Sequence, residues 1–134
     1  MSTIISNRIQ RLFILLSVLF TSPVTASQVE VLHWWTSGGE LDALSELQSK
    51  VEETDNTWLD FAIKGGGGNT ALTVLRSRAV SGNPPTAALI KGHNIQEWAK
   101  LGFLTSLDDI AKQEQWDAKL PEFIKPVMKY QGHY

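Results

Sequence analysis

The segment "QVEVLHWWTSGGELDALSELQSKV", residues 28–51, decides how this chain folds. Its first eight residues alternate. Val29, Val31, His33 and Trp35 fall on one side of an extended chain and Glu30, Leu32 and Trp34 on the other, because successive strand side chains point to opposite faces. After the glycine pair the period changes. Leu41, Leu44, Leu47 and Val51 recur every three or four residues, which puts them on one stripe of a helix running from Glu40 to about "ETDN", residues 53–56. A strand leading straight into an amphipathic helix is the opening of a β-α-β unit. It also raises a question: two large aromatics stand together at the strand's end, where alternation sends them to different faces.

The same two periods alternate further along. "WLDFAIK", residues 58–64, reads as a second strand and "GGGGN", 65–69, as a loop. "TALTVLRSRAVSG", 70–82, reads as a helix with Leu72, Leu75 and Ala79 on one face and Gly82 as its stop. "NPP" interrupts the chain, and "TAALI", 86–90, is a short buried strand. "NIQEWAKLG", 94–102, is a helix capped by Asn94 and ended by Gly102. "SLDD", 106–109, has the Ser-x-x-Asp form of a helix start and leads into "IAKQEQW". A last helical segment follows Pro121, with Pro126 expected to kink or break it. The order β-α-β-α-β-α-α gives an α/β fold with a parallel sheet and flanking helices.

The first 26 residues read differently. Arg8 and Arg11 precede the apolar run "LFILLSVLF", residues 12–20, and Val24, Thr25 and Ala26 provide the small-residue pattern that a signal peptidase reads. Residues 1–26 are therefore expected to be a signal peptide cleaved near Ala26. The run is short for a membrane span, which needs roughly 20 residues. Losing Arg8 and Arg11 reduces the 12 basic residues to 10 against 14 acidic ones, a mature net charge of −4. That balance argues against nucleic-acid binding, which calls for a basic patch. The chain has no cysteine, so an exported product must be held by its core alone and carries neither a thiolate metal site nor a lipid-attachment cysteine. His33, His93 and His133 are scattered without ligand spacing. The expectation is a soluble periplasmic protein with no metal and no cofactor.

Three irregular segments follow the three strands: "TSGG", "GGGGN" and "KGHN". In an open parallel sheet such loops share the carboxyl edge, where these folds bind ligands. Trp34, Trp35, Thr36 and Glu40 should thus converge with residues 65–69, including Asn69, and with Lys91 and Gly92. An indole at the mouth of a cleft offers a flat apolar plate to the C–H faces of a sugar ring; the alternative is that both indoles serve packing. Glu40 suits charge-assisted hydrogen bonds to hydroxyls or a helix first turn. Lys91 suits a ligand oxygen or solvent. Asn69 either caps the next helix or turns its amide into the cleft, and His93 reads as a loop residue. "GGGGNT" lacks the Gly-Lys-Ser/Thr ending of a phosphate loop and the third glycine of a dinucleotide fingerprint, so its glycines suit close backbone approach instead. Gly-x-Ser-x-Gly and His-Glu-x-x-His are absent, and Asp108 and Asp109 fit a solvated helix start. No catalytic residue is assigned.

The segments "WWTSGGE" and "SGNPPTAALIKG", within a pattern that runs from Val29 to Tyr134, resemble the opening part of the periplasmic sugar-binding proteins of ABC importers. The family is the extracellular solute-binding protein family 1, and its glucose/mannose-type members are the most similar. The resemblance implies a two-lobed, type II-like periplasmic-binding-protein fold that closes on a sugar and delivers it to transmembrane permease subunits. Such a protein is a monomer and not an enzyme. Its sugar site is lined by the residues matching Trp34, Trp35 and Glu40, with polar contacts from the segment matching 89–91. Relatives often carry Gln where this chain has Leu89, a change that removes a hydroxyl partner. Family members are about three times as long as this chain. Residues 27–134 are therefore expected to be an incomplete N-terminal lobe, from a fragment or a truncated gene, with unpaired sheet edges and an uncovered apolar face. The rival readings are a fragment of a secreted carbohydrate-active enzyme, a membrane-anchored interaction protein, and a non-functional remnant.

Overall fold

The computed structural model describes residues 26–65 and 68–134. The expected leader, apart from Ala26, lies outside them. Three strands, β1 (Gln28–His33), β2 (Thr57–Ala62) and β3 (Ala87–Ala88), form one parallel sheet in the order β2-β1-β3. Helix α1 (Gly38–Glu52) joins β1 to β2, and α2 (Asn69–Val80) joins β2 to β3. Helix α3 (His93–Lys100) follows, and then come the shorter α4 (Asp108–Gln113), α5 (Trp116–Lys119) and α6 (Lys125–Met128). The α/β class and the parallel sheet match the expectation from the sequence.

The register makes the alternation of β1 structural. Val29 faces Trp58 and Val31 faces Asp60, while Leu32 is paired with Phe61 on β2 and Ala88 on β3. One face of the sheet carries Val31 and Trp58, closed by Leu44 of α1, with Val29, Trp35 and Val51 packed around them. The other carries Leu32 beneath Ala71, Leu75 and Ala79 of α2 and Trp98 of α3. Trp34, Phe61, Ile63, Leu72, Ala88 and Ile90 pack against that second cluster. The central strand, β1, is thus apolar on both faces, as a strand covered on both sides must be. Glu30 is the exception on the α2 face. Its carboxylate accepts two hydrogen bonds of 2.6 Å from the guanidinium of Arg78, which also lies over the Phe61 ring at 5.2 Å. This bidentate geometry holds the Glu30 carboxyl below its ordinary pKa.

Several local expectations are corrected. Asn94 does not cap α3. The cap position is Gly92, at φ 61 and ψ −143, and Asn94 lies inside a helix that His93 opens. His93 is therefore helical, not a loop residue. Glycine takes this positive φ without a side-chain clash and turns the chain two residues before Asn94. Asn69 likewise does not cap α2: the cap is Gly68, at φ 93, and no side-chain capping bond forms. Pro126 neither kinks nor breaks the last helix. It sits in the first turn of α6, where its missing N–H leaves no helical bond unmade. Of the α1 stripe, Leu44 is buried and Val51 half-buried, but Leu41 and Leu47 are exposed.

Candidate functional site

The strand order reverses direction at β1, so the carboxyl end of β1 is a topological switch point, the place where open α/β sheets bind ligands. Backbone bonds continue there past the regular strands. The Ile63 N–H donates to the His33 carbonyl at 2.8 Å and the Leu89 N–H to the Leu32 carbonyl at 2.8 Å. All three strands are therefore held in register up to the point where their loops begin.

The tryptophans part at this point. Both are half-buried. Trp35 packs on the α1 face, beside Val31, Leu44 and Trp58, whereas Trp34 packs on the α2 face against the Leu32 cluster. Both find apolar partners because the sheet is covered on each side. Around Trp34 the three loops do meet. The Lys91 ammonium, from the loop after β3, is 5.6 Å from the centroid of the Trp34 ring, within range of a cation–π attraction. Gly68, from the loop after β2, lies so close to the indole that a Cβ at that position would be 3.1 Å from its Cε2 and Cζ2 atoms.

The other candidates are less closely joined to this group. Thr36 is exposed after β1. Glu40 is exposed in the first turn of α1, where a carboxylate is favoured by the helix dipole; among the described residues it has no hydrogen-bond partner. Asn69 is the exposed first residue of α2, and its carbonyl accepts from the Thr73 hydroxyl at 3.0 Å. Gly92 is the exposed turn before α3. The structure thus brings Trp34 and Lys91 together and leaves Trp35 on the opposite face.

Two arrangements escaped the sequence reading. His33 is 2% exposed, and its Nε2 lies 2.6 Å from Asp60 Oδ1 on the neighbouring strand, which also accepts from Trp58 Nε1 at 3.4 Å. Its Nδ1 has no partner among the described residues. The strand register brings them together: Asp60 pairs with Val31 and His33 with Ala62, so His33 and Asp60 are diagonal neighbours on one face. The second arrangement involves Asp108, which is no simple solvated helix start. It accepts from the Tyr134 N–H at 2.8 Å, and its Oδ2 lies 2.6 Å from His133 Nδ1. The His133 contact, then the Tyr134 N–H, holds the carboxyl at about 2. Asp117 is also held below its ordinary value, first by the Lys129 ammonium and then by the Tyr134 hydroxyl. Among the described residues no three His, Asp or Glu side chains stand together as a metal-binding group, and no helix is long and apolar enough to cross a membrane.

No family model matches the chain. Curated relatives do. A "Probable sugar-binding periplasmic protein" of Rhizobium meliloti is 46% identical over 114 residues, covering 85% of this chain and 28% of that protein. The chain is homologous to part of a protein named as a probable sugar-binding periplasmic protein. A protein of the same name from Brucella suis is 45% identical over 117 residues, again 28% of its length. An uncharacterized ABC transporter extracellular-binding protein of Pyrococcus horikoshii is 32% identical over 123 residues, 27% of its length. The chain therefore spans little more than a quarter of the curated relatives it matches. The first two relatives are named for sugar binding in the periplasm and the third as an ABC transporter extracellular-binding protein.

Proposed function

We propose that this chain supplies part of the sugar-binding wall of a periplasmic solute-binding protein that serves an ABC importer. The ligand is a monosaccharide of the glucose/mannose type or a short oligosaccharide, delivered to transmembrane permease subunits. Residues 27–134 form the opening part of the first of two lobes, after removal of a leader ending near Ala26. The protein works as a monomer and performs no chemistry on its ligand. The observation that carries this reading is the 46% identity, over most of the chain, to a relative named for sugar binding. The geometry is consistent with it. Trp34 and Lys91 stand together at the switch point, where an indole face suits a sugar's C–H groups and an ammonium suits its hydroxyls.

In this reading Trp34 and Lys91 touch the ligand from the core of the site. Trp35, Thr36, Glu40, Asn69 and Gly92 contribute from its rim, and Glu40 accepts hydroxyl hydrogen bonds when the second lobe closes. The Leu89 side chain offers no hydrogen bond at a position where relatives often carry Gln, so it tunes which hexose is preferred. Sequencing the coding DNA past codon 134 defines the polypeptide to purify. Glucose, mannose and maltose are then titrated into it by calorimetry. Saturable binding of one of them without its conversion supports the reading. Turnover of the oligosaccharide, or no binding of any of the three by that polypeptide, overturns it.

A further inference from the structure

We infer that Gly68 is the positioning residue for the Trp34 indole: the missing side chain at 68 sets where that ring lies. Gly68 is buried although it sits in a loop. A Cβ built there would be 3.1 Å from Cε2 and Cζ2 of Trp34 and 3.4 Å from its Cη2, so the ring would have to give by a few tenths of an ångström. The ring cannot retreat into the sheet, because that side is filled by the cluster of Leu32, Ala71, Leu75, Ala79 and Trp98. Close-packed interiors transmit such a displacement instead of absorbing it. Any displacement is therefore directed away from that cluster.

The other left-handed glycines make the contrast. Gly38, Gly65, Gly82, Gly92, Gly102 and Gly132 also have positive φ, but among the described residues a Cβ at any of them meets nothing within 4 Å. At those positions glycine answers a backbone demand alone. At Gly68 it answers two, φ 93 and the ring, and the second is specific to Trp34. Gly68, at the end of the loop after β2, thus takes part in the site without offering a side chain to it. Its backbone and the Lys91 ammonium fix the indole from two loops, which preorganises the plate before a ligand arrives.

The effect on binding rests on the proposed role of Trp34 as a wall of the sugar site; the effect on ring position does not. Both are read with Gly68→Ala and Gly82→Ala, the latter placing the same methyl at φ 75 in open space at the far end of α2. In protein labelled with 5-fluorotryptophan, the fluorine resonance of Trp34 is assigned by its loss in Trp34→Phe. Gly68→Ala is expected to move that resonance and Gly82→Ala to leave it in place. Glucose and mannose titrations are expected to weaken at least tenfold with Gly68→Ala, and less than twofold when the same change is made in a Trp34→Ala background. An unmoved resonance, or equal losses with and without Trp34, overturns the inference. If Trp34→Ala itself leaves the affinity unchanged, the sugar-wall reading falls and the resonance alone decides the positioning claim. Should Gly68→Ala not fold, the double variant Trp34→Phe/Gly68→Ala decides. Its folding supports the inference, because the smaller ring makes room; its failure overturns it in favour of backbone strain alone.

Discussion

The two faces of strand β1 are built from the same alternating sequence, yet they are covered to different degrees. On one face Leu32 lies beneath two helices, and five residues from three elements are buried together. On the other, α1 alone closes over Val31 and Trp58, and only Leu44 of its four-residue stripe is buried. Leu41 and Leu47 stay in contact with solvent. An apolar stripe thus predicts where a helix can bury surface, and the number of neighbouring elements determines how much of it is buried. Each tryptophan shares the situation of its face. Trp34 is held by a packed cluster, a glycine and a lysine, whereas Trp35 leans on the smaller cluster.

The sharpest way to break this comparison is to shorten one leucine on each face. Leu75→Ala, in the two-helix cluster, is expected to cost about 2–5 kcal/mol of stability in urea unfolding. Leu47→Ala, exposed on α1, is expected to stay within about 0.5 kcal/mol. Equal losses would mean that the two faces are equally complete. The next largest effect concerns the indoles: Trp34→Ala should lower sugar affinity by over tenfold, a loss of about 1.4 kcal/mol or more in calorimetry. Trp35→Ala is expected to weaken binding by a similar factor if both indoles line the site. A loss confined to Trp34 would assign the site to the α2 face.

The Glu30–Arg78 pair tests what fastens α2 to the sheet. Glu30→Gln is expected to cost about 1–2 kcal/mol, because a charge-assisted fork becomes at best a neutral bond. Its pH dependence has a definite sign. The Glu30 carboxyl is lowered in the folded state, so its contribution is complete above the ordinary value of 4.5 and is lost as pH falls through the lower folded value. A stability curve for wild type minus Glu30→Gln that stays flat with acidification would contradict this. Asp108 should behave in the same way over a lower window. Its hold on His133 and Tyr134 is complete above 3.8 and fails as pH falls through about 2, and the Tyr134 amide resonance should report the release. The smallest effect is expected at Leu89→Gln, which should reorder glucose against mannose with little change in stability; an identical ranking would show that position 89 does not read the sugar.

Much of this was legible because it depends on period. Alternation in residues 28–35 assigned Leu32 and Trp34 to one face and Val31 and Trp35 to the other, and the structure bears that out. The helices containing Leu44 and Leu75 followed from spacing of three and four. The starts of α2 and α3 were not legible, because Asn69 and Asn94 look like caps locally while the adjacent Gly68 and Gly92 already make the turn. Neither was the grip of Asp108 on His133, which joins residues 25 apart through a tail whose sequence carries no periodic signal. Convergence of the three loops followed from strand direction alone. That Gly68 meets the ring of Trp34 depends on distances that no spacing rule supplies.

The parallel pairing also orders events in time. Thr57 reaches Gln28 across one crossover, whereas Ala87 reaches Val31 across both, 56 residues along the chain. Non-local pairings of this kind form late, because chain closure must precede the contacts that reward it. β3 has only two regular residues with which to hold on. It should therefore dock last on refolding and open first in the native state, with the Leu89 amide exchanging hydrogen for deuterium ahead of the amides of β1. Lys91 is two residues beyond Leu89, so the ammonium beside Trp34 is attached to the last part of the sheet to form.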